Sequence, residues 1–246
     1  MKRIALVNHR YGLEVTGGSE LECRLLAERL KSYYEVEVLT TCAIDDGTWS
    51  NFYLEGTQEI EGILVRRFPT AHNRMWENYE ERLNSMLQLE DNHMFEDEIQ
   101  WIVDQGPYSP MLFEYIHKNY QCYDVVIFMT YLYYTSAICM LGIPNALFIP
   151  TAHDERAIHL PFYKRVFDAP KGFFFNAEEE RIFVEKMFPS VKNKPSITGV
   201  FGLDLVQEHT LPEIREKFGL HSPYIIYAGR ITPAKGCDEI IDKFLT

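Results

Sequence analysis

No stretch of this chain approaches the roughly 18 consecutive apolar residues that crossing a bilayer takes. The opening residues, Met1-Lys-Arg-Ile-Ala-Leu-Val-Asn8, are too short an apolar run for a secretion signal and suit a first strand. Cysteine is sparse: five residues, at 23, 42, 122, 139 and 237, an odd number without paired spacing. That excludes a disulfide framework and predicts reduced thiols in a cytoplasmic protein. Positive charge is in deficit, with 24 lysines and arginines against 36 carboxylates and a net charge of −12. Nucleic acid is therefore not an expected partner, because binding it needs a basic surface. Anionic membrane is disfavoured globally for the same reason. A peripheral contact at the inner face of the membrane would need a local basic patch, for which Arg3, Arg10, Arg66 and Arg67 are the candidates. No Gly-x-Gly-x-x-Gly occurs, which argues against a dinucleotide-dependent oxidoreductase. No Asp-x-Asp occurs either, so neither a metal nor another cofactor is expected. Internal repeats and low-complexity tracts are also missing.

What remains is a soluble, globular composition, 46% hydrophobic, with length for one large domain or two small ones. Short apolar runs alternate with helical patterns. Strands are predicted over 3–8, 35–41, 63–68, 124–130, 146–150, 171–176 and 196–200, with room for a short hairpin between 45 and 62. Helices are predicted over 19–31, over 73–104 as two pieces broken near Asp91-Asn92, over 111–119, from behind Tyr134 to about Leu141, and over 177–187, 211–218 and 237–244. Seven parallel strands alternating with helices describe an α/β, doubly wound, Rossmann-like sheet. Ligands in such folds bind at the carboxyl ends of the strands.

Four stretches put chemistry at those ends. Gly17-Gly18 falls between the first strand and a helix N-terminus, where backbone amides and the helix dipole favour an anion. Ser19 and Glu22 have the spacing of a capping box. Tyr131 and its neighbours follow the strand 124–130, where a tyrosine stacks on or hydrogen-bonds a sugar, or simply plugs the sheet edge. His153-Asp154-Glu155 follows the strand 146–150 and offers an imidazole with carboxylate partners. Finally Tyr224-Ile-Ile-Tyr-Ala228 reads as a buried strand, and Gly229-Arg-Ile-Thr-Pro-Ala-Lys-Gly236 as the loop behind it. Its Arg230 and Lys235 form a cradle for a diphosphate.

Gly-Arg-Ile-Thr-Pro-Ala-Lys-Gly resembles the Gly-Arg-x4-Lys-Gly signature of the retaining glycosyltransferases of group 1 (family 4, GT-B fold). The Gly17-Gly18 turn, Phe128-Met-Thr-Tyr-Leu-Tyr133, Pro150-Thr-Ala-His-Asp-Glu155 and Gly199-Val-Phe-Gly-Leu-Asp204 resemble the same family. Asn176 departs from it, since serine is usual there. The resemblance implies transfer of a sugar from a nucleoside-diphosphate sugar to a hydroxyl of a carbohydrate or lipid-linked acceptor, with retention. It implies donor-phosphate contacts from Gly17, Gly18, Arg230 and Lys235, catalytic roles for His153 and Asp154, and a sugar cleft lined by Glu20, Thr130, Tyr131 and Glu155. Cell-surface polysaccharide or glycolipid synthesis is the expected setting.

The implied organisation is an acceptor-binding Rossmann-like domain over 1–205, then a linker and the first strand-loop-helix of a nucleotide-sugar domain over 206–246. The family's later Glu-x7-Glu motif does not occur before Thr246, so this chain by itself is expected to have little or no transferase activity. The alternative is a non-catalytic sugar- or partner-binding module. In that case the apolar Ile240, Ile241 and Phe244 need cover, for example in a homodimer.

Overall fold

The apolar runs become strands of one sheet, since a strand covered by helices on both faces needs no polar alternation. The computed structural model describes residues 1–77, 79–89, 93–199, 202, 211–229, 231 and 236–245. Its strands are β1 (Arg3–Val7), β2 (Glu35–Thr41), β3 (Gly56–Ile60), β4 (Ile63–Phe68), β5 (Val125–Met129), β6 (Ala146–Ile149), β7 (Gly172–Phe175) and β8 (Ser196–Thr198). They lie in the order β3-β4-β2-β1-β5-β6-β7-β8. All neighbours pair in parallel except β3, which folds back on β4 as an antiparallel hairpin. The fold is thus the α/β, doubly wound, mostly parallel sheet that the alternation of runs predicts.

Helix α1 (Gly18–Leu30) covers one face of the sheet. Its Cys23 and Ala27 are fully buried against Ile4, Leu6, Val36 and Val38. The other face carries α2 (Tyr79–Leu89), α3 (Phe95–Gln105), α4 (Pro110–Asn119), α5 (Tyr134–Ala137), α6 (Phe162–Asp168) and α7 (Glu178–Met187). The core there is rich in aromatics. Phe167 stacks on Phe188 with ring centroids 4.2 Å apart and lies almost parallel to Phe173 at 6.3 Å. Offset stacking adds to the large apolar area such rings bury. Strand order reverses at β1: the chain runs outward through β2 on one side and through β5 to β8 on the other. The crevice beyond β1 and β5 is therefore the sheet's topological switch point.

Several expectations are corrected. The helix predicted to run to Leu141 is one short turn, α5. Helix α6 was not anticipated, although Phe162, Tyr163, Val166 and Phe167 recur at helical spacing and are buried. Ser19 does not cap α1. The helix begins at Gly18, one residue earlier, and Glu22 reaches away from it to Asn176. The four candidate basic residues form no exposed patch. Arg3 and Arg66 converge on the buried Glu37. Arg10 pairs with Glu20, and Arg67 is buried under the Tyr53 ring with a bond to the Tyr11 carbonyl. Paired cations offer a membrane surface little net charge. No described helix is long and apolar enough to cross a membrane.

By contacts the chain divides into two units, Met1–Phe201 and Gly202–Thr246. In the second, α8 (Leu211–Phe218) and α9 (Cys237–Leu245) are described. Residues 224–228 are not a strand, contrary to the apolar reading, and Ile225 and Ile226 are exposed. A strand exists only through its ladder partners, and the described residues of this unit supply none. Arg230, Lys235 and the proposed boundary at 205 lie outside the described residues.

Replacing Phe167 by alanine should destabilise the first unit by about 3–5 kcal/mol, the usual cost of emptying an aromatic site. Urea unfolding followed by circular dichroism measures it.

Candidate functional site at the carboxyl edge of the sheet

The loop after β1 turns sharply and is tied at nearly every residue. Asn8 Oδ1 accepts from the His9 amide at 2.9 Å, and Asn8 Nδ2 donates to the Ser19 carbonyl at 3.1 Å. His9 Nε2 lies 2.9 Å from Glu20 Oε1. Arg10 donates to the same oxygen and, through its other contacts, to the carbonyls of Ile44 and Thr16. All three side chains are almost wholly buried. Burial pushes the Glu20 carboxyl upward, but His9 and Arg10 outweigh it and carry it down to about 2. Glu20 is the third residue of α1, so its charge also sits on the positive end of the helix.

This explains Gly17. Its φ is +150°, and a Cβ there would stand 2.1 Å from Glu20 Oε2. Gly18 has open space, with nothing within 4 Å of a Cβ. The first turn of α1 keeps amides without helical acceptors, which suits an anion. Across the switch point, Tyr133 closes on His9, with ring centroids 4.2 Å apart, and Trp49 meets both rings edge-on. Burial raises the Tyr133 hydroxyl to about 12.

The ends of β5 and β6 are strained. Thr130 has φ +66° and Thr151 φ +48°. Both are β-branched, for which the left-handed region is costly, of order 1–3 kcal/mol each. The two turns are stitched together: the Thr130 amide donates to the Ile149 carbonyl and the Tyr131 amide to that of Pro150, each at 2.9 Å. Thr130 Oγ1 is buried without a partner. Tyr131 is buried and donates its hydroxyl to Glu155.

The loop after β6 is held by Glu180, the third residue of α7. Its carboxylate accepts from the Ala152 and Asn176 amides, each at 2.7 Å. Burial raises its pKa, against the pull of those amides, that of Ala177 and the nearby His153. His153 itself is exposed and lies 3.6 Å from Glu155 Oε2. Asp154 is exposed too and pairs with His159 at 2.9 Å instead. The structure thus gathers His153, Glu155, Tyr131 and Thr130 at the ends of β5 and β6, gives Asp154 a different partner, and spends Glu20 inside the fold. Arg230 and Lys235 cannot be added, being outside the described residues. Among those residues no cluster of His, Cys, Asp and Glu would hold a metal ion.

Sequence reasoning missed His9, Arg10 and Glu180. A His-Arg pair directly behind the first strand was the available signal for the first two. Glu180 was hidden in a run of three glutamates that a helix dipole already explains.

No protein-family model matches the chain, and no curated protein matches it. Solved structures do. The sucrose-phosphate synthase of Thermosynechococcus elongatus is similar with a TM-score of 0.63 at 13% identity, over 99% of this chain and 59% of that one. An α,α-trehalose 6-phosphate synthase from Burkholderia multivorans has a TM-score of 0.49 at 12% identity, over 91% of this chain and 54% of that one. The chain spans less than two thirds of the length of either. The likeness to the first is one of fold, the α/β architecture of GT-B glycosyltransferases.

Gly17→Ala should cost about 2–4 kcal/mol, combining backbone strain with displacement of a buried ion pair. Gly18→Ala should be neutral or stabilising by up to about 1 kcal/mol, since alanine suits a helix better. Paired urea melts separate the two. Glu20, with its pKa depressed from the ordinary 4.5 to about 2, stabilises the fold fully above pH 4.5. That contribution, about 3 kcal/mol, is lost as pH falls from 4.5 through 2. Glu20→Gln should flatten this part of the stability–pH curve, measured by denaturant unfolding from pH 2 to 6.

Proposed function

We propose that the protein serves a GT-B glycosyltransferase reaction, moving a sugar from a nucleoside-diphosphate sugar to an acceptor hydroxyl. One observation carries the reading: a glycine turn on a helix N-terminus, two strained strand ends and an exposed histidine share the switch-point edge of a sheet whose fold is that of glycosyltransferases. Strained backbone at such an edge is characteristic of sites where geometry serves a ligand.

In this reading the bond from the anomeric carbon to the diphosphate breaks, and one to the acceptor oxygen forms. The acceptor proton goes to the departing phosphate, with retention at the anomeric carbon. Charge grows on the diphosphate in the transition state, so fixed donors there accelerate the reaction. The amides of Gly17 and Gly18, at the start of α1, supply part of that stabilisation. Glu20 and Arg10 cancel one another, so the cationic share falls to Arg230 and Lys235. His153 donates a hydrogen bond to the transferred sugar, and Glu155, itself held by Tyr131, orients the imidazole. Asp154, Thr130 and Glu20 belong to the same wall, the last as its brace. No metal is needed. The acceptor is a carbohydrate or lipid-linked sugar met in the cytoplasm or at the inner membrane face, in polysaccharide or glycolipid assembly.

The 246-residue chain by itself is expected to turn over little, so the test is release of nucleoside diphosphate from a panel of nucleotide sugars by the protein as its natural source makes it, with and without oligosaccharide acceptors. Arg230→Ala and Lys235→Ala should each raise the donor KM about tenfold or more, the loss of one charge-assisted contact. His153→Ala should lower kcat while leaving the fold intact. A donor that turns over equally in all three variants overturns the assignment.

A further inference from the structure

Glu22 lies on α1, and its side chain crosses to the carboxyl end of β7. There Asn176 Nδ2 donates to Glu22 Oε2 at 3.0 Å. The other two atoms of this contact, Glu22 Oε1 and Asn176 Oδ1, are both buried and both without a hydrogen-bond partner. Both are acceptors if the carboxyl is ionised, and two bare acceptors in one buried contact are costly. A single proton on Glu22 Oε1 removes both defects. The acid hydroxyl then donates to Asn176 Oδ1 while the amide donates to Oε2, and the two planar groups close a ring of two hydrogen bonds.

We infer that Glu22 is held as a neutral carboxylic acid in such a ring with Asn176, and that the ring positions the glycine turn of α1 against the loop carrying His153. The route is continuous. Asn176 also gives its backbone amide to Glu180, and the other oxygen of Glu180 holds the Ala152 amide next to His153. Glu22 is a positioning residue, since the turn and the loop it links carry the groups of the site.

The surrounding charges explain why the proton sits on Glu22. From α7, Glu180 is the facing carboxylate; burial raises it too, but the amides of Ala152, Asn176 and Ala177 and the nearby His153 oppose that rise. Glu22 has one amide donor. From α1 itself, Glu20 is already committed to Arg10 and His9, and burial pushes the Cys23 thiol up, so it stays neutral. Two nearby carboxylates in unequal surroundings share out their protons unequally. Burial pushes Glu22 up to about 7; Asn176 opposes this and Glu180 adds to it. A carboxyl raised in the folded state binds its proton more tightly there than in the unfolded chain. Stability is therefore highest at low pH for this group and falls as pH rises from 4.5 past 7. None of this depends on what the protein catalyses.

The experiment reads protonation directly. Protein labelled with 13C at the glutamate carboxyl carbons should show one resonance titrating near pH 7, missing in Glu22→Gln, and a protonated-acid infrared band at pH 6 that is gone by pH 9. Glu22→Gln keeps two hydrogen bonds to Asn176 without a titrating group. Between pH 5 and pH 8 the wild type should lose about 5 °C of Tm more than this variant does. Exchange of the Ala152 amide, corrected for intrinsic pH dependence, should speed up at least tenfold from pH 6 to pH 9 in the wild type and stay level in the variant. A Glu22 resonance that titrates near the ordinary 4.5 overturns the neutral acid, and it can be read on the wild type alone if the variant fails to fold. Ala152 exchange that ignores the titration overturns the positioning role.

Discussion

Two buried glutamates hold the carboxyl edge of this sheet in shape. Each is the third residue of its helix, Glu20 in α1 and Glu180 in α7, and each turns its carboxylate back toward a loop leaving a neighbouring strand. Glu20 grips His9 and Arg10 behind β1, and Glu180 grips the Ala152 amide behind β6. A carboxylate removed from water and deprived of its partners is strongly destabilising, several kcal/mol for a broken buried pair. The loops are therefore not free to drift: leaving would strand a buried charge. The helix dipoles add to the hold, since both carboxylates sit in first turns.

That constraint accounts for the backbone strain beside it. Thr130 and Thr151 occupy left-handed conformations that a free loop would abandon. They persist because the strand ends are cross-linked to each other and, through Ala152, to Glu180. The result is an edge with a rigid interior and reactive groups outward. His9 and Glu20 are locked within it, with Tyr133 packed on His9, while His153 and Asp154 face solvent. Such a division keeps the dipoles of the edge fixed and leaves the exposed groups free to meet a ligand.

The polar residues behind this edge are more instructive than the aromatic ones. Glu37, itself buried, gathers the partly exposed Arg3 and Arg66 and the Tyr123 hydroxyl, so charges that looked like a free surface patch are paired. Asn176, a position at which the residues depart from the glycosyltransferase pattern, is where α1 and α7 are joined.

Much of the fold was legible in the residues. The apolar runs located the seven parallel strands of the described residues, and for all but the exposed edge strand β8 the signal comes from burial within the sheet, which needs no context. The order of strands and loops also put Gly17, Tyr131 and His153 at one edge of the sheet, where the structure has them, because a loop's place follows from the strand it leaves. The failures have a common cause. Residues 224–228 are as apolar as any strand, yet strand formation depends on a neighbour that local sequence does not specify. Ser19 and Glu22 have capping spacing, but Glu22 found Asn176, 154 residues away, and the helix start moved to Gly18. The sequence by itself determined the alternation of strands and helices and which edge carries the polar loops, because period and burial are local properties. The tertiary structure alone decided which carboxylate braces, which stays exposed and which shares a proton, because a charge buried by one element is balanced only by what distant elements bring to it.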